Sequence, residues 1–228
     1  MRMRSLRQGS GLRVNPRDLV VIGGSAGSLG PLRALAAALP ADLPGSVLVT
    51  THVRDCAKGR LPWLLSRSGP LPAAFAKRGE RLHPGRIYVA PPGRHLLVPS
   101  GLVVLSDGPR VNRSRPAVDV MFASAACWFG DRVVAVVLSG LLRDGALGAA
   151  LVAHEGGLVV VQEPSEAEQP SMPLAALAFA QDAVAVPAKR LGEVVGGMLG
   201  DAGLVNWPHP VPLDADALRR GAGRLQSR

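Results

Sequence analysis

The sequence predicts an α/β protein with a doubly wound, mostly parallel sheet flanked by helices and an appended antiparallel β-hairpin. Short β-branched runs alternate with longer helical patterns, the order that repeated βαβ units produce. Hydrophobic residues make up 47% of the chain and charged residues 19%, which supplies a large core and excludes disorder for the body of the protein. A length of 228 residues suits one domain of this class.

Strands are predicted from short runs rich in valine, isoleucine and leucine. The run at 133–138 is the most continuous, which predicts a central strand buried on both faces. Two short runs at 95–98 and 102–105 flank a turn that contains glycine, and they predict the hairpin. The other predicted strands are residues 19–22, 46–51, 86–90, 158–162 and 183–186.

Helices are predicted where apolar residues recur at helical spacing. In the first of them Leu32, Leu35 and Leu39 fall on one face, as a helix packed on a sheet requires. Pro116 suits the first turn of a later helix because its missing N–H would be unpaired there in any case. The predicted helices are residues 29–39, 60–68, 116–128, 145–154, 173–181 and 191–199.

The formal net charge of +9 is concentrated at the two ends of the chain. Residues 1–17 contribute +5 and residues 213–228 contribute +2, so the part between them carries only +2. Aromatic residues make up 4%, too few for the stacking surfaces of single-strand binders, and we expect no nucleic-acid partner. We predict a basic disordered arm over residues 1–17, a catalytic domain over 18–199 and a low-order basic tail over 200–228.

The sequence also favours a soluble cytoplasmic protein without a metal or other cofactor. The longest apolar stretch, residues 133–142, is about half of the roughly 20 residues needed to cross a bilayer. The N-terminus has no apolar segment typical of a secretory signal. Cys56 and Cys127 lack the spacing of a zinc site and cannot form a disulfide framework.

A candidate nucleophile follows the first predicted strand. Residues 23–27 read G-G-S-A-G and match the G-x-S-x-G pattern between a strand and a helix, in which a sharp turn presents the serine. Ser25 would be that nucleophile, with Ala26 and Gly27 beside it at a helix start that offers free N–H groups to an oxyanion. A phosphate-binding loop fits poorly because Ser25 stands where G-x-G-x-x-G requires glycine, and a plain tight turn remains an alternative.

A serine nucleophile needs a base, and His52 is the first candidate among the five histidines. His52 ends the second predicted strand as Ser25 ends the first, and active groups of doubly wound sheets collect at the carboxyl ends of strands. His95, which opens the hairpin, is the second candidate. The other histidines lie in a turn, at a helix end and in the tail: His83, His154 and His209.

The acid that would orient the histidine is predicted to be Asp144, which follows the central strand at the same edge of the sheet. Asp144 also precedes a predicted helix, so it could be an ordinary helix cap worth about 1 kcal/mol. Asp119, early in a helix, and Asp55, close to His52, remain alternatives.

Three segments together resemble the catalytic domain of the chemotaxis protein-glutamate methylesterase family, CheB. They are residues 22–28 (IGGSAGS), 51–53 (THV) and 138–146 (LSGLLRDGA). The family also places its serine, histidine and aspartate in this order along the chain. Supporting stretches are residues 87–95 (IYVAPPGRH), 112–122 (NRSRPAVDVMF) and 171–173 (SMP).

The resemblance implies an esterase that removes methyl groups from glutamyl esters on the cytoplasmic helices of chemoreceptors, with glutamine deamidation as a second activity. Ser25, His52 and Asp144 would form its triad, and N–H groups near Ala26 and Leu141 would bind the oxyanion. The family's receiver domain is not expected here, since only 17 residues precede the first predicted strand. A separate receiver protein could then control the enzyme.

The chain departs from the family pattern beside these residues. Ala26 replaces a threonine, Ser28 replaces a glycine, and Leu141 and Leu142 replace the methionine and glycine of G-M-G-x-D-G-A. Loss of one oxyanion donor costs on the order of 100- to 1,000-fold in rate. The alternative function is therefore a catalytically weak relative that binds receptor or signalling proteins.

Overall fold

The computed structural model describes residues 16–52 and 59–200. Six helices of seven residues or more lie in these segments: α1 (Leu29–Ala38), α2 (Leu61–Ser68), α3 (Val118–Phe129), α4 (Ala146–His154), α5 (Ser171–Phe179) and α6 (Leu191–Gly197). The strands are β1 (Leu19–Gly24), β2 (Ser46–Thr51), β3 (Ala73–Phe75), β4 (Arg86–Val89), β5 (His95–Leu97), β6 (Val104–Ser106), β7 (Val133–Val137), β8 (Leu158–Gln162) and β9 (Val184–Val186).

Seven strands form one sheet in the order β3-β4-β2-β1-β7-β8-β9, and each neighbouring pair is parallel. The chain starts in the middle with β1, adds β2 on one side and later β7 on the other. This reversal creates a topological switch point, where ligands of open α/β sheets bind beyond the carboxyl ends of the strands. Gly24 pairs with Thr51 and Gly23 with Val137, so residues 25, 52 and 138 follow directly at that edge.

Both faces of the sheet are covered by helices, which explains the nearly continuous apolar runs of the central strands. Val21 faces one core, with Phe122 of α3 and Val152 of α4. Ile22 faces the other core, with Leu32 of α1 and Leu65 of α2. The alternation of neighbouring strand residues between two cores holds β1, β2 and β7 in a fixed register, and thereby positions their carboxyl ends.

The predicted fold class is confirmed, and β5 pairs with β6 in a separate antiparallel hairpin. Several element bounds differ from the sequence prediction by one or two residues, and one strand was not predicted. Strand β3 was not predicted, because Ala73–Phe75 has three half-buried residues and no β-branched run. Helix α3 begins at Val118 rather than at residue 116, because the N–H of Val118 is the first bound by a carboxylate from elsewhere in the chain. Helix α5 begins two residues earlier than predicted, at Ser171.

The predicted arm and tail lie almost wholly outside the described residues, as do Cys56, Asp55 and His209. At the two ends of the described chain Arg17 and Gly200 form an antiparallel bridge, in which the N–H of Gly200 donates to the carbonyl of Arg17 at 3.0 Å. No helix within residues 16–52 and 59–200 has the length and apolar character to cross a membrane.

Candidate functional site

Ser25 occupies a turn between β1 and α1 whose backbone is fixed by hydrogen bonds. Its N–H donates to the carbonyl of Ser139 at 2.9 Å, across the gap between the ends of β1 and β7. Its carbonyl accepts from both the N–H and the hydroxyl of Ser28, at 3.1 and 2.6 Å. The serine that replaces the family's second glycine therefore closes the turn around Ser25.

Two glycines leave the space that this turn requires. Gly27 has a φ of +78°, and a Cβ there would lie 2.6 Å from Ser139 Oγ and from the Cβ of Glu168. A Cβ on Gly140, in the loop after β7, would lie 2.8 Å from the Cβ of Ser25. The glycine pattern thus reflects close packing of two loops around the serine.

Ser139 and Gln162 form hydrogen bonds that hold the Ser25 turn in place. Neither was predicted as a site residue. The Ser139 hydroxyl donates to the carbonyl of Ala26 at 2.8 Å and accepts from the N–H of Gln169 at 2.9 Å. The Ser139 N–H donates to Gln162 Oε1 at 2.9 Å. Both side chains are buried and polar. The signal available in the sequence was a polar residue at the end of an apolar strand.

His52 lies at the end of β2, one residue beyond the pairing of Gly24 with Thr51. Its backbone N–H donates to the carbonyl of Gly24 at 3.2 Å, which places residue 52 beside the Ser25 turn. Its ring is mostly buried, and Nε2 lies 3.0 Å from Asp144 Oδ2, within ion-pair distance but not aligned as a hydrogen bond. Nδ1 is then the ring nitrogen left for another partner. Within the described residues no hydrogen bond joins the Ser25 hydroxyl to this ring, and such contacts often tighten only when substrate is bound.

Asp144 is held by donors on both of its oxygens. Oδ2 accepts the N–H of Val118 at 2.8 Å, and Oδ1 accepts the N–H of Asp119 at 3.1 Å and the side-chain amide of Asn112 at 2.8 Å. Burial raises the pKa of the Asp144 carboxyl, but these donors and His52 outweigh burial and hold the pKa below its ordinary value. Asp144 is therefore an ionised partner for His52.

Asp144 is also a helix cap, though of a different helix from the one that follows it. The sequence offered it as a cap for the next helix, α4, but its carboxylate accepts the first N–H groups of α3. Asp119, in the first turn of α3, performs the matching role for α4: its Oδ1 accepts the N–H groups of Gly145 and Gly148 at 2.9 and 2.7 Å. The two helices thus exchange capping carboxylates.

Asn112 joins the two carboxylates. Its Nδ2 donates to Asp144 Oδ1 at 2.8 Å and to Asp119 Oδ2 at 2.6 Å. Burial raises the pKa of Asp119, the nearby charge of Asp144 adds to the rise, and hydrogen bonds from Gly148 and Asn112 oppose it. Asp119, an alternative acid of the sequence analysis, binds this amide and the start of α4, whereas His52 contacts Asp144. No role for Asn112 was predicted from the sequence.

His95, the second candidate base, has both ring nitrogens occupied. Nε2 lies 2.9 Å from the carbonyl of Pro109, and Nδ1 accepts the N–H of Ala117 at 3.2 Å. This pattern requires the neutral tautomer with the proton on Nε2. Buried His95 therefore holds the loop that leads into α3, whereas Nδ1 of His52 has no hydrogen bond to any residue within 16–52 and 59–200.

The three residues predicted to line an oxyanion site lie around Ser25. Ala26 and Gly27 follow Ser25 in the turn, and Leu141 follows Gly140 in the facing loop. The N–H of Gly140 donates to the carbonyl of Gln169 at 2.9 Å, which fixes the loop one residue before Leu141. The contribution of their N–H groups to catalysis stays a prediction.

Asp119→Ala is expected to lower the free energy of unfolding by roughly 2–4 kcal/mol, because the buried N–H groups of Gly145 and Gly148 lose their acceptor. Asp119→Asn keeps one acceptor oxygen and should lose less. Urea unfolding measures the change, and Asp42→Ala, at an exposed aspartate before β2, serves as the control. A loss no larger than that of the control would contradict the exchange of caps.

Comparison with known proteins identifies relatives of this chain. The profile of the family described as CheB methylesterase matches residues 20–195. The protein-glutamate methylesterase/protein-glutamine glutaminase 2 of Anaeromyxobacter dehalogenans is 36% identical over 161 residues, which cover 71% of this chain and 47% of the relative. The protein-glutamate methylesterase/protein-glutamine glutaminase of Symbiobacterium thermophilum is 33% identical over 187 residues, covering 82% of this chain and 52% of the relative.

A solved structure shares the fold. The crystal structure of the CheB methylesterase catalytic domain of Thermotoga maritima superposes with a TM-score of 0.74 at 30% identity, covering 80% of this chain and 99% of that domain. The chain spans about half the length of these two curated relatives. With the family profile matched over most of its length, the chain belongs to the CheB methylesterase family.

Proposed function

We propose that this protein hydrolyses glutamyl methyl esters on chemoreceptor-type proteins, by a triad of Ser25, His52 and Asp144. The observation that carries the proposal is the 3.0 Å contact between His52 Nε2 and an ionised Asp144, beside the Ser25 turn at the topological switch point. Curated relatives named protein-glutamate methylesterase/protein-glutamine glutaminase support the choice of ester.

In the proposed first step the Ser25 hydroxyl oxygen attacks the ester carbonyl carbon while His52 Nδ1 accepts its proton. The tetrahedral intermediate collapses, the bond from carbon to the methoxy oxygen breaks, and His52 returns the proton so that methanol leaves. Water then attacks the acyl-serine with His52 again as the base. The products are glutamate on the substrate and a free Ser25 hydroxyl.

Asp144 orients the His52 ring in this scheme. A hydrogen bond from Nε2 to the carboxylate, formed as the site tightens on substrate, would leave Nδ1 to act as the base. The carboxylate also stabilises the imidazolium that forms in each step. Since its other contacts are backbone N–H groups and the Asn112 amide, Asp144 is held in position before substrate binds.

The negative oxygen of the tetrahedral intermediate would be bound by backbone N–H groups of Ala26 and Leu141, with Gly27 keeping the turn open. Helix α1 begins just after this turn, and its N-terminal dipole favours a negative charge there. Glutamine deamidation would use the same acyl-serine with ammonia as the leaving group. The partners are then the methylated cytoplasmic helices of chemoreceptors, and a separate receiver protein as a candidate regulator.

The test is release of methanol from a soluble, methylated cytoplasmic fragment of a chemoreceptor. We expect release in proportion to enzyme concentration, with mass spectrometry showing loss of the methyl groups from glutamyl residues. The same fragment with the heat-denatured protein is the control. Release no faster than this control, by a protein that is folded and binds the fragment, would reject the esterase and leave the binding function instead.

A further inference from the structure

Large apolar side chains are exposed next to the candidate site. We define the leucine rim as Leu142, in the loop before Asp144, with Leu147 and Leu151 of α4 and Phe179 at the end of α5. These residues are 57%, 58%, 43% and 50% exposed. Apolar side chains gathered in one patch mark interaction surfaces more often than single ones do.

The rim adjoins the residues that hold Asp144. Leu147 and Phe179 line a cavity of about 200 Å³ whose wall also contains Asn112, Asp119 and Arg143. Leu151 lies four residues after Leu147 and therefore on the same face of α4. Leu142 precedes Arg143 in the loop that carries Asp144. The surface thus runs from the amide that holds Asp144 outward along α4.

Leu142 has a backbone conformation that disfavours a leucine. Its φ is +65°, in the left-handed region where a side chain clashes with its own backbone and glycine is preferred. The side chain is not in the core either, since more than half of it is exposed. Neither backbone geometry nor burial accounts for a leucine here, and such strain beside a candidate site points to a functional contact.

Arg143 gives the surface a positive charge. It is exposed, it lines the cavity with Leu147 and Phe179, and it takes part in none of the ion pairs among the described residues. The carboxylate in the same wall, Asp119, is already bound by three donors. A ligand that covers this surface would combine an apolar stripe with a negative charge.

We propose that the leucine rim and Arg143 bind the amphipathic, acidic helix that carries the scissile glutamyl ester. This inference rests on the proposed function and adds the surface that selects the substrate. Leu147 and Leu151, at i and i+4, form a ridge of the kind that packs into the groove of another helix. A glutamate near the ester would pair with Arg143. The rim then supplies affinity for a helix, whereas a small ester needs only the triad.

The experiment measures binding and turnover separately. Binding of a fluorescent, methylated receptor fragment is titrated in the Ser25→Ala background, and hydrolysis of p-nitrophenyl acetate is followed in the Ser25 protein. The rim variants are the double variant Leu147→Ser with Leu151→Ser, the single variant Leu142→Gly, and Arg143→Gln. Trp128→Ser is the matched control, because Trp128 is 54% exposed and lines a cavity with Leu19 and Ser46, the first residues of β1 and β2, at the end of the sheet opposite the site.

We expect the rim variants to weaken fragment binding about tenfold or more, as truncation of interface anchors does. The rates of Arg143→Gln and of the double variant at Leu147 and Leu151 on the small ester should stay within about twofold of the parent. Leu142→Gly should also unfold at no lower urea concentration, since glycine relieves the left-handed strain. Trp128→Ser should change neither readout.

Binding within about twofold of the parent in all rim variants would overturn the inference, as would no binding of the fragment by the parent. An equal loss on the small ester would overturn it as well, because the substitutions would then be disturbing the triad. Rim-dependent binding without methanol release would support the surface while rejecting the esterase, so the two failures are distinguishable.

Discussion

Ser25→Ala is expected to lower kcat for methanol release by about 10⁶-fold, the scale on which loss of a nucleophile acts in a serine hydrolase. The physical reason is that alanine leaves no oxygen to form the acyl intermediate. The turn itself should persist, because it is held by backbone groups and by the Ser28 hydroxyl. KM for the receptor fragment should change little. Methanol release under saturating fragment measures the effect.

Ser28→Ala is the matched control for that substitution. Ser28 lies in the same turn and its hydroxyl is buried, yet its N–H still donates to the carbonyl of Ser25 after the hydroxyl is removed. A modest loss, on the order of tenfold or less, is expected from a single lost hydrogen bond. If Ser28→Ala abolished activity while Ser25→Ala retained it, the nucleophile would be Ser28 and the proposed role of Ser25 would be wrong.

Asp144→Asn is expected to lower kcat by about 10⁴-fold, because the neutral amide cannot stabilise the imidazolium and favours the wrong tautomer of His52. The side-chain NH₂ of the new asparagine would also lie against other hydrogen-bond donors, namely two backbone N–H groups and the Asn112 amide, and could not accept from them. Stability should fall together with activity. Methanol release and urea unfolding of the same preparation measure both effects.

The pH dependence of stability gives an independent check on Asp144. Its folded pKa lies below the ordinary value of 3.8, so its ionised form stabilises the fold above that value, and this contribution is lost as pH falls through the folded pKa. Asp144→Asn should therefore lose less stability on acidification than the parent does. Asp107→Asn, at an exposed aspartate that pairs with Arg94, is the control. Parallel stability curves for the parent and Asp144→Asn would contradict the ionised carboxylate.

Much of the fold could be predicted because its signals are local. Valine-rich runs predicted every strand of the sheet except β3, and helical periodicity predicted the helices. The continuous run at residues 133–138 predicted an interior strand, and β7 is buried throughout. Strand β3 escaped because its pairing with β4, rather than its own composition, makes it a strand. Helix α3 starts later than the position of Pro116 suggested because a distant carboxylate determines its first bound N–H.

The candidate site was predictable only where residues follow strands. Ser25 and His52 directly follow β1 and β2, and Asp144 lies seven residues beyond β7, so all three lie at the edge where these strands end. Their support could not be derived in this way. Asn112 binds a carboxylate 32 residues away, and Ser139 binds the Ala26 carbonyl 113 residues away. Such hydrogen bonds depend on tertiary packing and leave no periodic pattern in the sequence.

The proposed mechanism requires that Ser25 is a nucleophile activated by His52. Covalent labelling with a fluorophosphonate, followed by digestion with trypsin, tests it directly. Ser25 and Ser28 share the peptide of residues 18–33, so fragment ions must locate the adduct. We expect the adduct on Ser25 in the parent and its near absence in His52→Ala. Methanol release by a protein that carries no adduct on Ser25, or that carries it on Ser28 instead, would contradict Ser25 as the nucleophile.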